Sequence, residues 1–269
     1  MNEPGGQSIP PDVYDRDYFL SDICEGWDEY QQNKGVSYNK AKQVKRLNLR
    51  PGMRVLDAGC GRGETLLACA REGAEVAGID YSEAAVEITK ETLEEYPDAD
   101  IRVGDITSLP WPDNSFDRIQ NSDVVEHLDP HQTVPALTEF YRVLKPGGFL
   151  LLHTAPNRLF MNWSWPAMRP ILKVVGHGQV VREMEEWFKV AEQYHVNEQS
   201  VFTLRKAMRQ AGFESPTVWI DPDVLRSGNY RYTAALEGPA MKLVARVASL
   251  RPFRLFLGND VFAIGHKRA

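Results

Sequence analysis

The sequence predicts an α/β fold built on a mostly parallel sheet. Three observations support this prediction: short apolar runs alternate with amphipathic stretches from Gly52 onward, a glycine-rich loop follows the first run, and turn residues separate the later ones. Such alternation is typical of successive strand and helix units. The chain has 269 residues, 43% hydrophobic and 25% charged, which is the composition of a folded protein with a sizeable core.

The first part of the chain supplies five predicted strands and the helices between them. Ser82 is the expected N-cap of one helix, and residues 145–148 end another, because proline cannot continue a helix and glycine accepts left-handed backbone. The predicted strands span 55–58, 75–80, 101–103, 116–122 and 149–154, and the predicted helices span 62–72, 83–96 and 135–144.

After Asn157 the alternation gives way to a segment rich in aromatic residues, which we interpret as an inserted cap. Further on we expect a helix from about 200 to 212, strands at 217–220 and 261–266, and a helical stretch around 238–257. The expected organisation is an N-terminal helical lid at 1–50, the core at 51–157, the cap at 158–196 and the rest of the core at 197–269.

Charge and composition limit the class of partner. The formal net charge is −6, which disfavours nucleic acid unless basic residues gather on one face. No apolar run reaches the roughly 20 residues needed to span a bilayer, and residues 1–11 do not resemble a secretory signal. We therefore expect a soluble, cytoplasmic protein. Cys24, Cys60 and Cys69 lack the paired spacing of a zinc site or disulfide framework, so reduced thiols are predicted.

The most informative segment is 55–63, which reads VLDAGCGRG. A buried strand here leads directly into a loop with glycine at alternate positions, and a helix follows. Glycine lets the backbone approach a ligand closely, so a nucleotide-like ligand is expected across this loop. Nicotinamide and flavin enzymes use a related loop, and some tight turns use glycine without any ligand, so the neighbouring residues must decide.

Three carboxylates lie at, or just after, the ends of predicted strands. Asp80 ends the second strand, where an acid can accept hydrogen bonds from ribose hydroxyls; its alternative role, as an N-cap, is better filled by Ser82. Asp105 can meet an adenine amino group with Ile106 against the ring, although a turn aspartate is the alternative. Asp57, at the end of a buried strand, must be hydrogen-bonded or neutralised, and an amino or sulfonium group would neutralise it.

The sequence resembles the class I S-adenosylmethionine-dependent methyltransferases, specifically the broad group that includes ubiquinone- and natural-product O-methyltransferases. The resemblance rests on five segments in the same order: VLDAGCGRG at 55–63, GID at 78–80, GDI at 104–106, FDRIQNSDVVEHL at 116–128 and LKPGG at 144–148. It implies a Rossmann-like, mostly parallel sheet of seven strands with the last strand antiparallel. It also implies S-adenosyl-L-methionine as the cofactor of the core.

The resemblance further implies which residues hold this cofactor. Those expected around the methionine part are Asp57, Gly59, Cys60, Gly61 and Asn121. Those expected at the ribose and adenine are Asp80, Tyr81, Asp105 and Ile106. The implied reaction is methyl transfer to an oxygen, or to a nitrogen or carbon, of a small-molecule acceptor. The alternatives from other classes are a nicotinamide-dependent oxidoreductase, which Asp57 fits poorly, and a non-catalytic cofactor-binding module.

His127 is the first candidate for a catalytic base. It follows the fourth strand, and ligands of open α/β sheets bind at the carboxyl ends of strands. Histidine has an ordinary pKa of about 6.5, which suits proton transfer near neutral pH. The alternative is that Glu126 and His127 only orient the loop or cap the following helix.

A second hypothesis places a metal at the same loop. Asp123, Glu126 and His127 could converge as ligands, with His195 from the end of the cap as a fourth. The resemblance extends to small-RNA 2′-O-methyltransferases and some ubiquinone-pathway enzymes, in which a divalent metal polarises the acceptor hydroxyls. Magnesium or manganese suits such oxygen-rich ligands. This hypothesis implies a vicinal hydroxyl or a lipid-linked molecule as the acceptor.

Three other features have both a functional and a structural interpretation. The large apolar side chains of the cap could line a hydrophobic acceptor pocket or form the core of a helical lid; they are Phe160, Met161, Trp163, Trp165, Met168, Trp187 and Phe188. A basic amphipathic stretch at 242–256 could contact a membrane or pack as a surface helix. Residues 14–19 could fold over the cofactor or serve as a docking helix.

Overall fold

A seven-stranded sheet forms the centre of the molecule. The structure is a computed structural model that describes residues 10–21, 24, 26–32, 35–221, 246, 250 and 253–269. The strands are β1 Arg54–Ala58, β2 Glu75–Asp80, β3 Asp100–Val103, β4 Phe116–Ser122, β5 Leu144–Thr154, β6 Thr217–Ile220 and β7 Val261–His266. Their order across the sheet is β3-β2-β1-β4-β5-β7-β6.

The direction of the strands confirms the predicted fold class. Strands β1 to β5 pair in parallel, whereas β7 lies between β5 and β6 and runs antiparallel to both. The predicted strands at 75–80, 116–122, 217–220 and 261–266 have the observed bounds. Strand β5 begins five residues before the predicted 149, because Leu144 already pairs with Phe116 of β4 ahead of an irregularity in the register.

Helices connect the strands and precede the sheet. They are α1 Arg16–Phe19, α2 Trp27–Gln32, α3 Tyr38–Arg46, α4 Glu64–Arg71, α5 Glu83–Thr92, α6 Thr133–Val143, α7 Trp165–Val174, α8 Gly178–Tyr194, α9 Val201–Gln210 and α10 Arg254–Leu257. Ser82 caps α5, as predicted, since its hydroxyl accepts a hydrogen bond from the Ala85 amide at 3.2 Å. Most of the predicted stretch at 238–257 lies outside the described residues.

The core lies on both faces of the sheet, as expected for a parallel sheet covered by helices. Consecutive side chains of a strand point to opposite faces. Val55 accordingly belongs to the apolar cluster beneath α3 and α4, while Leu56 belongs to the larger cluster beneath α6 and α9. Because both faces are buried, the sheet offers a ligand only the loops at its strand ends.

The predicted cap consists mainly of α7 and α8, preceded by a single π-helical turn at Phe160–Ser164. Phe160, Trp165 and Phe188 bury their side chains together with Val181, so these aromatics build an internal core for the helices. Trp163 instead is 68% exposed. The side chain of Trp187 lies outside the described part of the chain.

Within the described residues, the helices are all too short or too polar to cross a lipid bilayer.

Candidate active site

The glycine loop after β1 depends on backbone conformations that only glycine adopts readily. Gly59, Gly61 and Gly63 have φ angles of +86°, +50° and +78°. A Cβ atom on Gly59 would lie 2.3 Å from Cγ2 of Val124, a distance that real carbon atoms do not tolerate. Gly59 therefore cannot carry a side chain, because the loop that follows β4 packs closely against it.

Asp57 is buried beneath this loop, with 3% of its surface exposed. Burial raises the pKa of its carboxyl to about 7, although the charge of Lys40 and a hydrogen bond from Thr65 oppose that rise. A cation brought against Asp57 would lower its pKa again. The site thus favours a positively charged group at the end of β1.

Asn121, at the end of the adjacent strand β4, is fully buried. Its side-chain amide donates a hydrogen bond to the carbonyl of Ala58 at 2.7 Å, which anchors the start of the glycine loop. Its carboxamide oxygen, Oδ1, has no hydrogen-bond partner among the described residues. Since buried acceptors are rarely left without a donor, this atom marks a place where a ligand could donate.

Asp80 closes the far side of the glycine loop. One carboxylate oxygen accepts the Gly61 amide at 3.0 Å and the other accepts the Ser82 amide at 3.1 Å. The Tyr81 amide is a third backbone donor, and a carboxylate has about four acceptor positions, so Asp80 retains the capacity to accept from a ligand. Burial raises the pKa of Asp80, while these backbone donors oppose the rise. Tyr81, next in the chain, is 40% exposed.

Asp105 and Ile106 follow β3 at the same edge of the sheet. The Asp105 carboxylate accepts a hydrogen bond from the Thr107 amide at 2.7 Å, which is the turn role considered as its alternative. Ile106 is buried in the larger core cluster. Gly104 donates to the Asp80 carbonyl at 2.9 Å, so this loop is fixed directly beside Asp80.

Asp123 begins the loop after β4 and anchors a chain of charges. Its carboxylate lies 2.8 Å from the Lys40 ammonium and 2.7 Å from Nδ1 of His153. On the other side of the His153 ring, Nε2 lies 3.0 Å from the carboxylate of Asp260. Asp123 has a φ of +61°, which is unusual for a residue other than glycine. These contacts hold the loop in that conformation.

Glu126 lies deeper in the same loop, with only 1% of its surface exposed. Its carboxylate accepts hydrogen bonds from the Thr154 hydroxyl at 2.8 Å and the Ala155 amide at 3.3 Å. Burial and the nearby charge of Asp123 raise the pKa of Glu126 to about 8. This group is therefore mainly protonated at neutral pH, and it ties the β4 loop to the end of β5.

His127 faces the N-terminal segment and the end of the cap. Its Nδ1 lies 2.9 Å from the Tyr14 hydroxyl and 3.0 Å from the carbonyl oxygen of Tyr194. Because a carbonyl can only accept, this contact assigns the proton to Nδ1 and leaves a lone pair on Nε2. Burial lowers the pKa of His127 to about 4, so the ring is neutral at pH 7.

His195 packs edge-on against His127, with ring centroids 4.9 Å apart. Glu126, His127 and His195 each offer one ligand atom, and these atoms lie within 4.8 Å of one another. Asp123 does not join this group, which corrects its predicted place among the metal ligands: its carboxylate is bound by Lys40 and His153. A metal with ligand distances of about 2.1 Å would require the three side chains to move slightly closer.

The N-terminal segment lies over the glycine loop. The ring of Phe19 comes within 3.6 Å of the position of a Cβ on Gly61. The Arg62 guanidinium donates to the Phe19 carbonyl at 3.0 Å, and the Ser82 hydroxyl donates to the Tyr14 carbonyl at 2.6 Å. Tyr14 also packs against Tyr81, with ring centroids 5.6 Å apart. One segment thus contacts the glycine loop, Tyr81 and His127.

Sequence reasoning missed three residues of this site. His153 had a usable signal, since a histidine near the end of a strand buried on both faces needs polar partners. Lys40 and Asp260 had none, because their contacts join segments separated by 83 and 107 positions in the chain.

Comparison with known proteins agrees with this geometry. Residues 56–152 match the family model described as a methyltransferase domain. Together with the fold and the glycine loop, this match confirms the predicted class: residues 56–152 form a class I S-adenosylmethionine-dependent methyltransferase domain. The nicotinamide-dependent alternative is therefore not carried further.

Two relatives and one solved structure illustrate the similarity. A probable S-adenosylmethionine-dependent methyltransferase of Mycolicibacterium smegmatis is 44% identical over 109 residues, which are 40% of each chain. The demethylmenaquinone methyltransferase of Symbiobacterium thermophilum is 28% identical over 78% of this chain and 90% of its own. The solved structure is a chain from the complex of a Haloferax volcanii methyltransferase activator with a methyltransferase. Its TM-score is 0.62 at 19% identity, and the alignment covers 94% of this chain and 97% of that chain.

The first relative is thus matched over less than half of its own length. The solved structure, at 19% identity, shows the fold alone.

Proposed function

We propose that the chain transfers the methyl group of S-adenosylmethionine to an oxygen atom of a small molecule. The observation that carries the proposal is the polar interior of the glycine loop, where the Asp57 carboxylate and Oδ1 of Asn121 are both buried. An amino group or a sulfonium would complement the first, and a hydrogen-bond donor would complement the second. The methionine end of this cofactor offers such groups.

The cofactor would lie along the carboxyl ends of four strands, β1 to β4. Asp57, Gly59, Cys60, Gly61 and Asn121 would surround its methionine end. Asp80 would accept the ribose hydroxyls through its remaining acceptor positions, with Tyr81 beside it. Asp105 and Ile106 would border the adenine, because their loop is hydrogen-bonded to Asp80 through Gly104.

We assign the role of base to His127, whose neutral ring can accept a proton, although its lowered pKa makes it a weaker base than an ordinary histidine. Bound S-adenosylmethionine supplies a methyl carbon that is already activated by the sulfonium, so the protein has to align the acceptor and remove a proton. The contact with Tyr194 fixes the Nδ1-protonated form of His127, and Nε2 is then available to take a proton from the acceptor hydroxyl. Tyr14 supports the same ring orientation.

A metal-assisted form of this reaction is a second candidate, favoured by the grouping of Glu126, His127 and His195. Magnesium or manganese held there would polarise a hydroxyl of the acceptor. The test is methyl transfer after treatment with a chelator, followed by addition of each metal. Activity that survives chelation would exclude this form and leave His127 as the base.

Two observations favour a small molecule as the methyl acceptor. One relative is named for demethylmenaquinone, a small molecule, and it aligns with most of this chain. The net charge of −6 disfavours nucleic acid as the acceptor. We therefore propose a small-molecule acceptor.

The deciding experiment measures cofactor binding and then transfer. Calorimetric titration with S-adenosylmethionine and S-adenosylhomocysteine should give micromolar dissociation constants, and Asp80→Ala should weaken binding by about ten-fold or more, because at least one hydrogen bond to a charged group is lost. Asp98→Ala, at an exposed aspartate, is the matched control. Transfer of a labelled methyl group to candidate acceptors then follows.

Absence of cofactor binding in the unmodified chain would overturn the proposal. Binding without transfer to any acceptor would instead support the non-catalytic module.

A further inference from the structure

The cap carries an exposed apolar stripe on its outer side. Its members recur at intervals of three or four positions, as residues on one helix face do. They are Trp163, Ala167, Ile171, Val174 and Val175, and the four larger ones are 68%, 62%, 87% and 59% exposed, respectively. We name this set the cap stripe. None of the residues that the structure describes covers it.

The opposite side of α7 is already occupied. Trp165 is buried against Phe188 with ring centroids 5.3 Å apart, and Leu172 packs on the same internal cluster. The fold of the cap therefore does not need the cap stripe for its own core. Solvent exposure of this many neighbouring large apolar side chains indicates an interaction surface.

The charged residues near the cap stripe favour a partner with negative charge. Residues 140–182 contain no aspartate or glutamate, although the chain as a whole has a net charge of −6. Arg169 and Lys173 of α7 flank the cap stripe and remain 53% and 50% exposed. Both approach the same carboxylate, that of Glu185, at 3.9 and 3.3 Å, so a single carboxylate faces two exposed cations.

We propose that the cap stripe docks on an anionic lipid bilayer, with α7 lying in the plane of the interface. An apolar face bordered by cations is the pattern of interfacial helices, in which the apolar side chains enter the acyl boundary and the cations meet the headgroups. A tryptophan such as Trp163 is typical of that boundary. A second copy of the chain is a poorer partner, because two copies of the stripe would bring the same cations together.

Docking would place the cap, rather than the sheet, against the membrane. The inference stands apart from the proposed methyl transfer, since it uses none of the residues assigned to the cofactor or to the base. Methyl acceptors that partition into a bilayer would become accessible at this surface.

The test is cosedimentation of the full chain with vesicles. Vesicles of phosphatidylcholine with phosphatidylglycerol should bind the chain more tightly than phosphatidylcholine alone, and added salt should weaken the binding. Val174→Asp should reduce binding by about ten-fold, since it replaces an inserted apolar side chain with a charge. Phe202→Asp, at a 58% exposed apolar position on α9, is the matched control and should have no effect.

A second pair of variants isolates the charge. Arg169→Gln with Lys173→Gln should weaken binding to anionic vesicles by about five- to twenty-five-fold, at about a factor of five for each cation near the surface. Lys206→Gln with Arg209→Gln removes the same charge from α9, at two exposed positions, and should leave binding unchanged. Thermal unfolding of each variant verifies that the fold is intact.

Equal binding to the two kinds of vesicle, or equal binding by Val174→Asp and the unmodified chain, would overturn the proposal. A dimer in light scattering that Val174→Asp dissociates, without vesicle binding, would assign the cap stripe to self-association instead.

Discussion

Asp123 and His153 form an ion pair of 2.7 Å that joins the loop after β4 to the end of β5. Because Asp260 binds the other ring nitrogen at 3.0 Å, the imidazole lies between two carboxylates. These carboxylates overcome burial and raise the pKa of His153 well above its ordinary value. The pair therefore couples the loop that carries Glu126 and His127 to the segment leading into β7.

The first prediction concerns Asp260. Asp260→Asn should destabilise the chain by about 2 kcal/mol, because a buried imidazolium loses one charged partner. A group whose pKa is higher in the folded than in the unfolded chain stabilises the fold fully below its unfolded pKa, which is about 6.5 for histidine. This stabilisation is lost as the pH rises through the folded pKa. The difference from the unmodified chain should thus be largest near pH 6 and decrease at alkaline pH.

Urea unfolding at several pH values provides the measurement. Asp113→Asn is the control, since Asp113 pairs with Arg142 at 2.9 Å but is 68% exposed, and exposed pairs contribute about 0.5 kcal/mol. Equal losses for the two variants at every pH would contradict the buried ion-pair interpretation.

A second prediction concerns Asp57, whose pKa of about 7 in the free protein must fall when a cation binds beside it. Affinity for S-adenosylmethionine should therefore increase as the pH rises from 5.5 to 7, approaching ten-fold per pH unit at the lower end. Calorimetry across this range is the measurement. Asp57→Asn should bind weakly with little pH dependence; if it keeps the slope of the unmodified chain, another group is responsible.

Gly59 gives a third prediction. Gly59→Ala should destabilise the chain by about 3 kcal/mol and abolish cofactor binding, because it adds both left-handed strain and a clash with Val124. Gly147→Ala separates the two effects: Gly147 also has a positive φ, +78°, but has no atom within 4 Å of a Cβ. The Gly147→Ala variant should lose only about 1 kcal/mol of unfolding free energy, measured by thermal or urea unfolding.

The clash itself can be relieved. Gly59→Ala combined with Val124→Ala removes the colliding methyl group and should recover part of the stability. No recovery in the double variant would mean that backbone strain alone accounts for the loss.

The fourth prediction tests whether Tyr14 encloses His127. Tyr14→Ala should raise the pKa of His127 from about 4 toward its ordinary value of about 6.5, because the ring would become hydrated. Histidine resonances followed by NMR during a pH titration would measure this change. Tyr38→Ala, at a 59% exposed tyrosine, is the control. A pKa that stays near 4 would show that Tyr194 and His195 suffice to enclose the ring.

Local patterns explain why so much of the fold was predictable. Apolar runs bounded by turn residues define β2, β4, β6 and β7. The glycines at 59, 61 and 63 indicate a loop with positive φ angles that other residues adopt poorly. The antiparallel direction of β7 came from the resemblance, since the pairing of strands depends on contacts that no local pattern encodes.

The ion pairs of Asp123 could not be predicted, because they too depend on contacts between distant segments of the chain. Asp123 looked like a metal ligand because its spacing from Glu126 and His127 suits one. Its actual partners, Lys40 and His153, arrive from α3 and β5. A sequence pattern locates the acidic residue in the chain, but it does not reveal which distant cation reaches it.

The N-terminal segment has a consequence for the timing of turnover. Phe19 lies against the glycine loop, while Tyr14 is tied to Ser82 and touches His127. A ligand of the glycine loop must therefore enter and leave while this segment is displaced. For the proposed methyl transfer, we therefore expect detachment of residues 14–19 to limit the rate at which the cofactor is exchanged.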